Sequence, residues 1–175
     1  MLKKLRPRAR TGQLARCVVR KALESESPPN FLYASNRAGR FNPAGTECIY
    51  WSEDDTIARL EYNRNKDKLQ AYTTFFCLYK LAIIDLEDPV TLDAFELTES
   101  DLYTTWRLAL SPTKCQTLGQ AVSLQQRFDA IRFPSDAARI AKTRGCNLAI
   151  FKGSLRDSHF IQVVTDPSMP VQRWP

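Results

Sequence analysis

The stretch from Phe75 to Leu86 reads Phe-Phe-Cys-Leu-Tyr-Lys-Leu-Ala-Ile-Ile-Asp-Leu and is almost continuously apolar. A short apolar run of this kind, rich in aromatic and β-branched residues, reads as a buried strand. The rest of the chain must therefore supply a sheet around it and layers to cover it. Further strands are predicted in the Cys-Val-Val region of Leu14–Leu23, at Phe31–Tyr33, Glu47–Trp51 and Asp129–Phe133 (broken by Pro134), and at Cys146–Lys152 and Phe160–Thr165. A helix is predicted from Glu53 to about Leu69. Ser52 is its expected N-cap, Asp55 completes a Ser-x-x-acid capping box, and Glu53 and Asp54 suit the helix dipole. A second helix is predicted over Thr117–Arg127, and Ser135–Arg144 reads as a polar loop or a short helix. Strands dominate the second half without regular βαβ alternation. That pattern predicts an α+β fold with a mixed, mostly antiparallel sheet.

At 175 residues the chain fits one compact domain with a sizeable core. The net charge of +6 is unevenly placed: Lys3, Lys4, Arg6, Arg8 and Arg10 supply nearly all of it. Residues 1–12 are thus expected to be a flexible basic arm, and residues 13–175 the folded domain. A near-neutral body argues against specific nucleic-acid binding by the chain itself. No apolar run is long enough to span a membrane, and no apolar segment of a signal peptide follows the basic start. The five cysteines show no metal or redox spacing, and Cys48, Cys77 and Cys146 read as small buried apolar residues. These features point to a cytoplasmic protein. The single histidine, His159, excludes multi-histidine metal sites within one chain. Between Asp85 and Asp101 lie seven acids and no Lys or Arg, which reads as a solvated, loop-rich face.

Candidate chemistry concentrates between Asn36 and Glu61. On the predicted helix, with Ile57 at zero, Glu61 falls near about 40° and Ala58 near about 100°, so Glu61 lies inside the apolar arc. An inward carboxylate costs free energy unless it is paired or useful, so a buried salt bridge and a functional acid compete here. Arg37 and Arg40 flank the glycine turn at Gly39. Arginine presents a rigid donor fork suited to phosphate, whereas a basic surface turn is the plainer reading. Asn42-Pro43-Ala44-Gly45 makes a second turn. Tyr50, near the end of its strand, suits either a half-buried core position or a stacking platform. Ser135 follows Phe133-Pro134 and is either a cap or a ligand-facing hydroxyl. Cations, an aromatic ring and an inward carboxylate are the parts needed to hold and split a dinucleotide.

Two ordered blocks resemble the RES domain, the toxin half of Res–Xre toxin–antitoxin systems. The first is Arg37-Ala38-Gly39-Arg40-Phe41-Asn42-Pro43, then Ile49-Tyr50-Trp51-Ser52-Glu53, then Ala58 and Glu61. The second is Leu118-Gly119-Gln120-Ala121, then Asp129-Ala130-Ile131-Arg132-Phe133-Pro134-Ser135, then Asn147-Leu148-Ala149-Ile150-Phe151. Ala38 stands where the family often has the first of two glycines, and Phe41 where it often has tryptophan. Arg16 is the best match for an arginine on the family's first strand, with Arg20 the alternative.

The resemblance implies an ADP-ribosyltransferase-like fold with a split sheet and a NAD cleft. It implies an enzyme that consumes NAD as substrate without a metal, by hydrolysis, phosphorolysis or ADP-ribosyl transfer. Glu61 would be the catalytic acid residue, with Tyr50 packing the nicotinamide. Arg16 and Arg40 would hold pyrophosphate or ribose, with Asn42 and Ser135 completing the NAD site. An Xre-type antitoxin would cover the active site, and the complex leaves room for homo-oligomers. The rival from another class is a RES-like module that binds a nucleotide or protein without turnover. Saturable NAD binding with no nicotinamide released would favour that rival.

Overall fold

The computed structural model describes residues 5–25, 30–64, 71–156, 158–165, 167–168 and 170–175. Among these, the strands are β1 (Ala9–Val19), β2 (Cys48–Ser52), β3 (Tyr72–Asp85), β4 (Ala130–Pro134), β5 (Cys146–Phe151), β6 (Phe160–Val164) and β7 (Arg173–Trp174). The helices are α1 (Arg20–Glu24), α2 (Asp55–Arg64), α3 (Pro89–Ala94), α4 (Glu99–Tyr103), α5 (Lys114–Gln125) and α6 (Asp136–Ile140). Short 3₁₀ turns lie at Trp106–Leu108 and Lys152–Ser154. Together they make a compact α+β domain. No helix among the described residues is long and apolar enough to cross a membrane.

The strand order is β1-β2-β5-β4-β3-β6-β7, and β1 also pairs with β3. That extra pairing returns the sheet to its start, so β1, β2, β5, β4 and β3 form a closed, barrel-like ring. The split sheet expected from the resemblance is therefore not what the chain forms. The closure is made by β1 and β3, paired from Ala9↔Ala82 to Val19↔Tyr72. β3 is long enough to serve three neighbours, pairing β6 through its middle and β4 through its last residues. Among the described strands only the β3–β4 pairing is parallel, so the sheet is mixed and mostly antiparallel as expected.

Both faces of this sheet are covered, which is why its strands read as apolar runs. Ile84, Ile131, Phe133, Ala149 and Phe151 join Leu102, Cys115, Leu118 and Val122 from the helices in one buried cluster. Leu81, Ile83, Leu148, Ile150 and Trp51 alternate onto the other face, with Leu14, Phe31 and Leu32. Phe31-Leu32 is thus core, but it lies in a turn rather than in the expected short strand.

Several boundaries differ from the sequence reading. β1 begins at Ala9, so Ala9–Gly12 belong to the sheet and not to the arm. Arg10 bonds Asp85 at 2.8 Å, and Arg127 donates to the Leu5 carbonyl, which ties down part of the basic segment. Met1–Lys4 lie outside the described residues. Ser52 ends β2 instead of capping α2. The Glu53 amide still donates to the Cys146 carbonyl, so pairing runs past Ser52 and the helix starts later. Asp54 takes the cap, accepting from the Ile57 amide at 2.8 Å. The predicted extension of α2 over 65–70 lies outside the described residues. The acidic stretch is not a loop but carries α3 and α4. Asp88 caps α3, Asp101 completes a capping box with Thr98 at the start of α4, and Asp85 and Glu87 bind Arg132.

Cys48, Cys77, Cys115 and Cys146 are buried, as predicted for the first, second and last of these. Burial pushes the Cys77 and Cys115 thiols up to about 12 and raises Cys48 and Cys146 further. Reactive thiolate is therefore scarce at neutral pH. Titration with a disulfide reagent at pH 8 is expected to modify at most Cys17 promptly in the folded protein, and all five thiols after unfolding. Two or more fast thiols in the native protein would contradict this packing.

Candidate functional site

A cavity of about 570 Å³ opens between β1, β2, α2, the 36–42 loop and the Trp106 turn. Its wall includes Arg16, Arg37, Arg40, Asn42, Tyr50, Ser52, Glu61, Arg64, Trp106, Arg107, Phe133 and Asn147. Glu61 is the one carboxylate on it among the described residues. A concave site of this size, walled by aromatics and a few convergent polar groups, suits a nucleotide-sized ligand.

The Ile57–Tyr62 face of α2 packs inward, with Ile57, Ala58 and Tyr62 buried. This places Glu61 as its helical position predicts, half-buried at the cavity wall. Its Oε1 accepts from Ser135 Oγ at 2.6 Å and from Asn147 Nδ2 at 2.7 Å. Asn147 is itself held by Ser52 Oγ, which donates to Asn147 Oδ1 at 2.8 Å. The register Ser52↔Asn147 between β2 and β5 sets up that contact. Ser135 caps α6, accepting from the Ala138 amide at 3.0 Å. The carboxylate is thus oriented by groups fixed on a strand pair and a helix terminus.

Ser135 does not line the cavity as the resemblance implied. It is 2 % exposed and lies behind Glu61, combining the cap role with a hold on the carboxylate. Asn147 and Ser52 were missed as site residues. Asn147 carried a readable signal, since an amide inside the apolar run Cys146–Phe151 needs a partner. Ser52 was disguised by its fit to a capping box.

The 37–42 loop is locked by its own side chains. Asn42 Nδ2 donates to the carbonyls of Arg37 (2.7 Å) and Thr46 (3.0 Å), and its Oδ1 accepts from Tyr50 OH at 2.8 Å. Tyr50 OH in turn accepts from the Phe41 amide at 2.9 Å. Gly39 has to be small, because a Cβ there would sit 2.5 Å from Asn42 Oδ1 and 2.7 Å from Tyr50 OH. Asn42 is fully buried and its amide is engaged, so it shapes the loop that carries the arginines. Burial pushes the Tyr50 phenol well above its ordinary value, and its hydroxyl is taken up by Phe41 and Asn42, which leaves the ring to meet a ligand. Phe133 meets that ring edge-on, with centroids 6.3 Å apart.

Arg16 and Arg40 both reach the cavity, and so does Arg37. Arg20 does not; it pairs with Glu24 on the exposed face of α1. Arg40 is steadied by a bond from Nη1 to the Leu102 carbonyl. Arg16 has no hydrogen-bond or ion-pair partner among the described residues, and burial lowers its pKa from the ordinary value. A guanidinium stays charged even so. An unpartnered cation at a cavity wall is a ready anion site. His159 lies elsewhere, with Nδ1 2.6 Å from the buried Asp129 carboxylate.

Removing one donor to Glu61 tests how far this orientation matters. Asn147→Ala is expected to lower kcat for the reaction proposed below about ten- to a hundredfold, the worth of one hydrogen bond to a charged group, with little change in KM. That loss in a variant that still unfolds cooperatively would fit. A kcat within twofold of the parent would contradict the role.

A family model described as the RES domain matches residues 13–172, nearly the whole chain. No curated protein shows significant similarity to it. The chain belongs to the RES domain family.

Proposed function

We propose that this RES domain protein is an ADP-ribosyltransferase-like enzyme that cleaves the nicotinamide–ribose bond of NAD, as the toxin of a toxin–antitoxin pair. The observation that carries this reading is the pairing of one oriented carboxylate, Glu61, with the unpartnered Arg16 guanidinium in a single cavity. Arg16 and Arg40 bind the pyrophosphate. The Tyr50 ring, stiffened by Phe133 and by its hydroxyl bonds, packs against nicotinamide.

The bond between ribose C1′ and the nicotinamide nitrogen breaks with both electrons going to nitrogen, which neutralises the pyridinium. The ribose left behind has oxocarbenium character, by analogy with glycoside cleavage. Glu61 stabilises that positive charge as it develops, and its fixed position removes the cost of reorganisation. The acceptor then bonds to C1′ and gives up its proton. Water, phosphate and a protein side chain are all chemically competent acceptors.

An Xre-type antitoxin would seal the mouth of the cavity. The segment after Trp106 supports this, because Leu108 and Leu110, which follow the cavity-lining Trp106 and Arg107 in sequence, are strongly exposed apolar residues. The reaction would take place in the cytoplasm. The experiment is induced expression of this chain alone in a bacterial host. Intracellular NAD is expected to collapse with the parent and to stay level with Glu61→Ala at equal protein level. Growth arrest with NAD unchanged would reject the reading.

A further inference from the structure

The cavity carries more positive charge than a pyrophosphate requires. Among the described residues, five arginines line it against the single carboxylate of Glu61. Arg64 is paired with Asp136 at 2.5 Å, and Arg40, with one donor on the Leu102 carbonyl, belongs with Arg16 to the pyrophosphate. The guanidinium groups of Arg37 and Arg107 have no hydrogen-bond or ion-pair partner among the described residues. The Arg107 guanidinium instead lies over the Trp106 ring, 4.6 Å from its centroid. A guanidinium stacked in this way keeps its donor edge free for an anion.

Their place in the fold matters as much as their charge. Glu61 is held at the Ser52 end of β2 through Asn147. The loop bearing Arg37 joins the opposite end, where Ser35 pairs with Cys48. Four strand steps separate those ends, roughly 13 Å. The Arg40–Leu102 bond brings the segment leading to Trp106 and Arg107 alongside the same loop. If the nicotinamide ribose sits at Glu61, the adenosine half of the dinucleotide reaches toward Arg37 and Arg107. In doubly wound dinucleotide-binding folds an Asp or Glu takes the 2′-hydroxyl of an unmodified adenosine ribose, whereas an arginine accommodates a 2′-phosphate; the charge logic, though not the fold, applies here. Here the described wall offers arginine and no acid at that end.

We propose that Arg37 and Arg107 form a second phosphate subsite, so that a dinucleotide carrying a 2′-phosphate, NADP, is as good a substrate as NAD or better. The proposal rests on the NAD-cleaving reading above. The test compares kcat/KM for NAD and NADP in the parent, Arg37→Ala and Arg107→Ala. The NADP:NAD ratio is expected to be at least one in the parent and to fall about tenfold in each variant, as for loss of a charge-assisted bond. Turnover of NAD with none of NADP, or a ratio the variants leave unchanged, overturns the subsite while leaving NAD cleavage intact. Turnover of neither dinucleotide rejects the reaction. The subsite is then decided by titrating the parent with ADP-ribose and with 2′-phospho-ADP-ribose, tighter binding of the latter supporting it and equal or weaker binding overturning it.

Discussion

Glu61→Gln is expected to lower NAD cleavage by about a thousandfold while leaving the melting temperature within a few degrees of the parent. The substitution keeps the shape of the side chain and removes the charge that would meet the oxocarbenium-like state. Removal of a single preorganised electrostatic group costs catalysis about a hundred- to a thousandfold. The glutamine amide oxygen can still accept from Ser135 and Asn147, so the wall of the cavity should survive. Affinity for NAD should change little, because the ground state carries its positive charge on nicotinamide and not yet on the ribose. Initial rates of nicotinamide release, with calorimetric NAD binding beside them, check both halves. A rate within tenfold of the parent would remove Glu61 from the chemistry.

The second large effect is on folding. Gly119→Ala is expected to destabilise the protein by about 3 kcal/mol or more, toward the upper end of overpacking costs. A Cβ at this position in α5 would stand 1.6 Å from the carbonyl oxygen of Phe41 and 2.7 Å from its carbonyl carbon. Backbone cannot rotate aside as a flexible side chain can. Either α5 moves off the sheet or the 39–42 loop is displaced, and Gln116, which donates to the Gly39 carbonyl at 2.8 Å, loses its partner in both cases. Denaturant unfolding measures the loss. Gly119→Ala should also impair the site, since Phe41 lies between Arg40 and Asn42. Unfolding within 1 kcal/mol of the parent would show that the contact between α5 and the loop is looser than described.

Gly119 also shows what the sequence could and could not disclose. It belongs to the Leu118–Ala121 block, and its spacing from the Arg37–Pro43 block was visible. That the helix presses on the loop was not, because a contact between residues 41 and 119 has no local signature. Local patterns were informative where one element decided the outcome. The 3.6-residue period around Ile57 and Ala58 put Glu61 on the inner face. The apolar run of β3 and the buried cysteines were legible for the same reason. Long-range closure was not: nothing in β1 or β3 taken alone shows that they pair along their length and close a ring in place of a split sheet. Ser52 was misread because its local sequence fits a helix cap, whereas pairing of Glu53 with Cys146 keeps it in the sheet. Arg107 and Trp106 left no trace in the pattern, since long-range contacts such as Arg40–Leu102 bring their segment to the cavity.

The account stands most directly on one reaction. Purified protein, freed of any partner, is mixed with NAD, and nicotinamide is followed by proton NMR alongside the ribose C1′ product, with and without added phosphate. The account predicts stoichiometric nicotinamide release by the parent, none above background by Glu61→Gln, and a C1′ product that identifies the acceptor. A folded parent that binds NAD saturably and releases no nicotinamide under any of these conditions would contradict it.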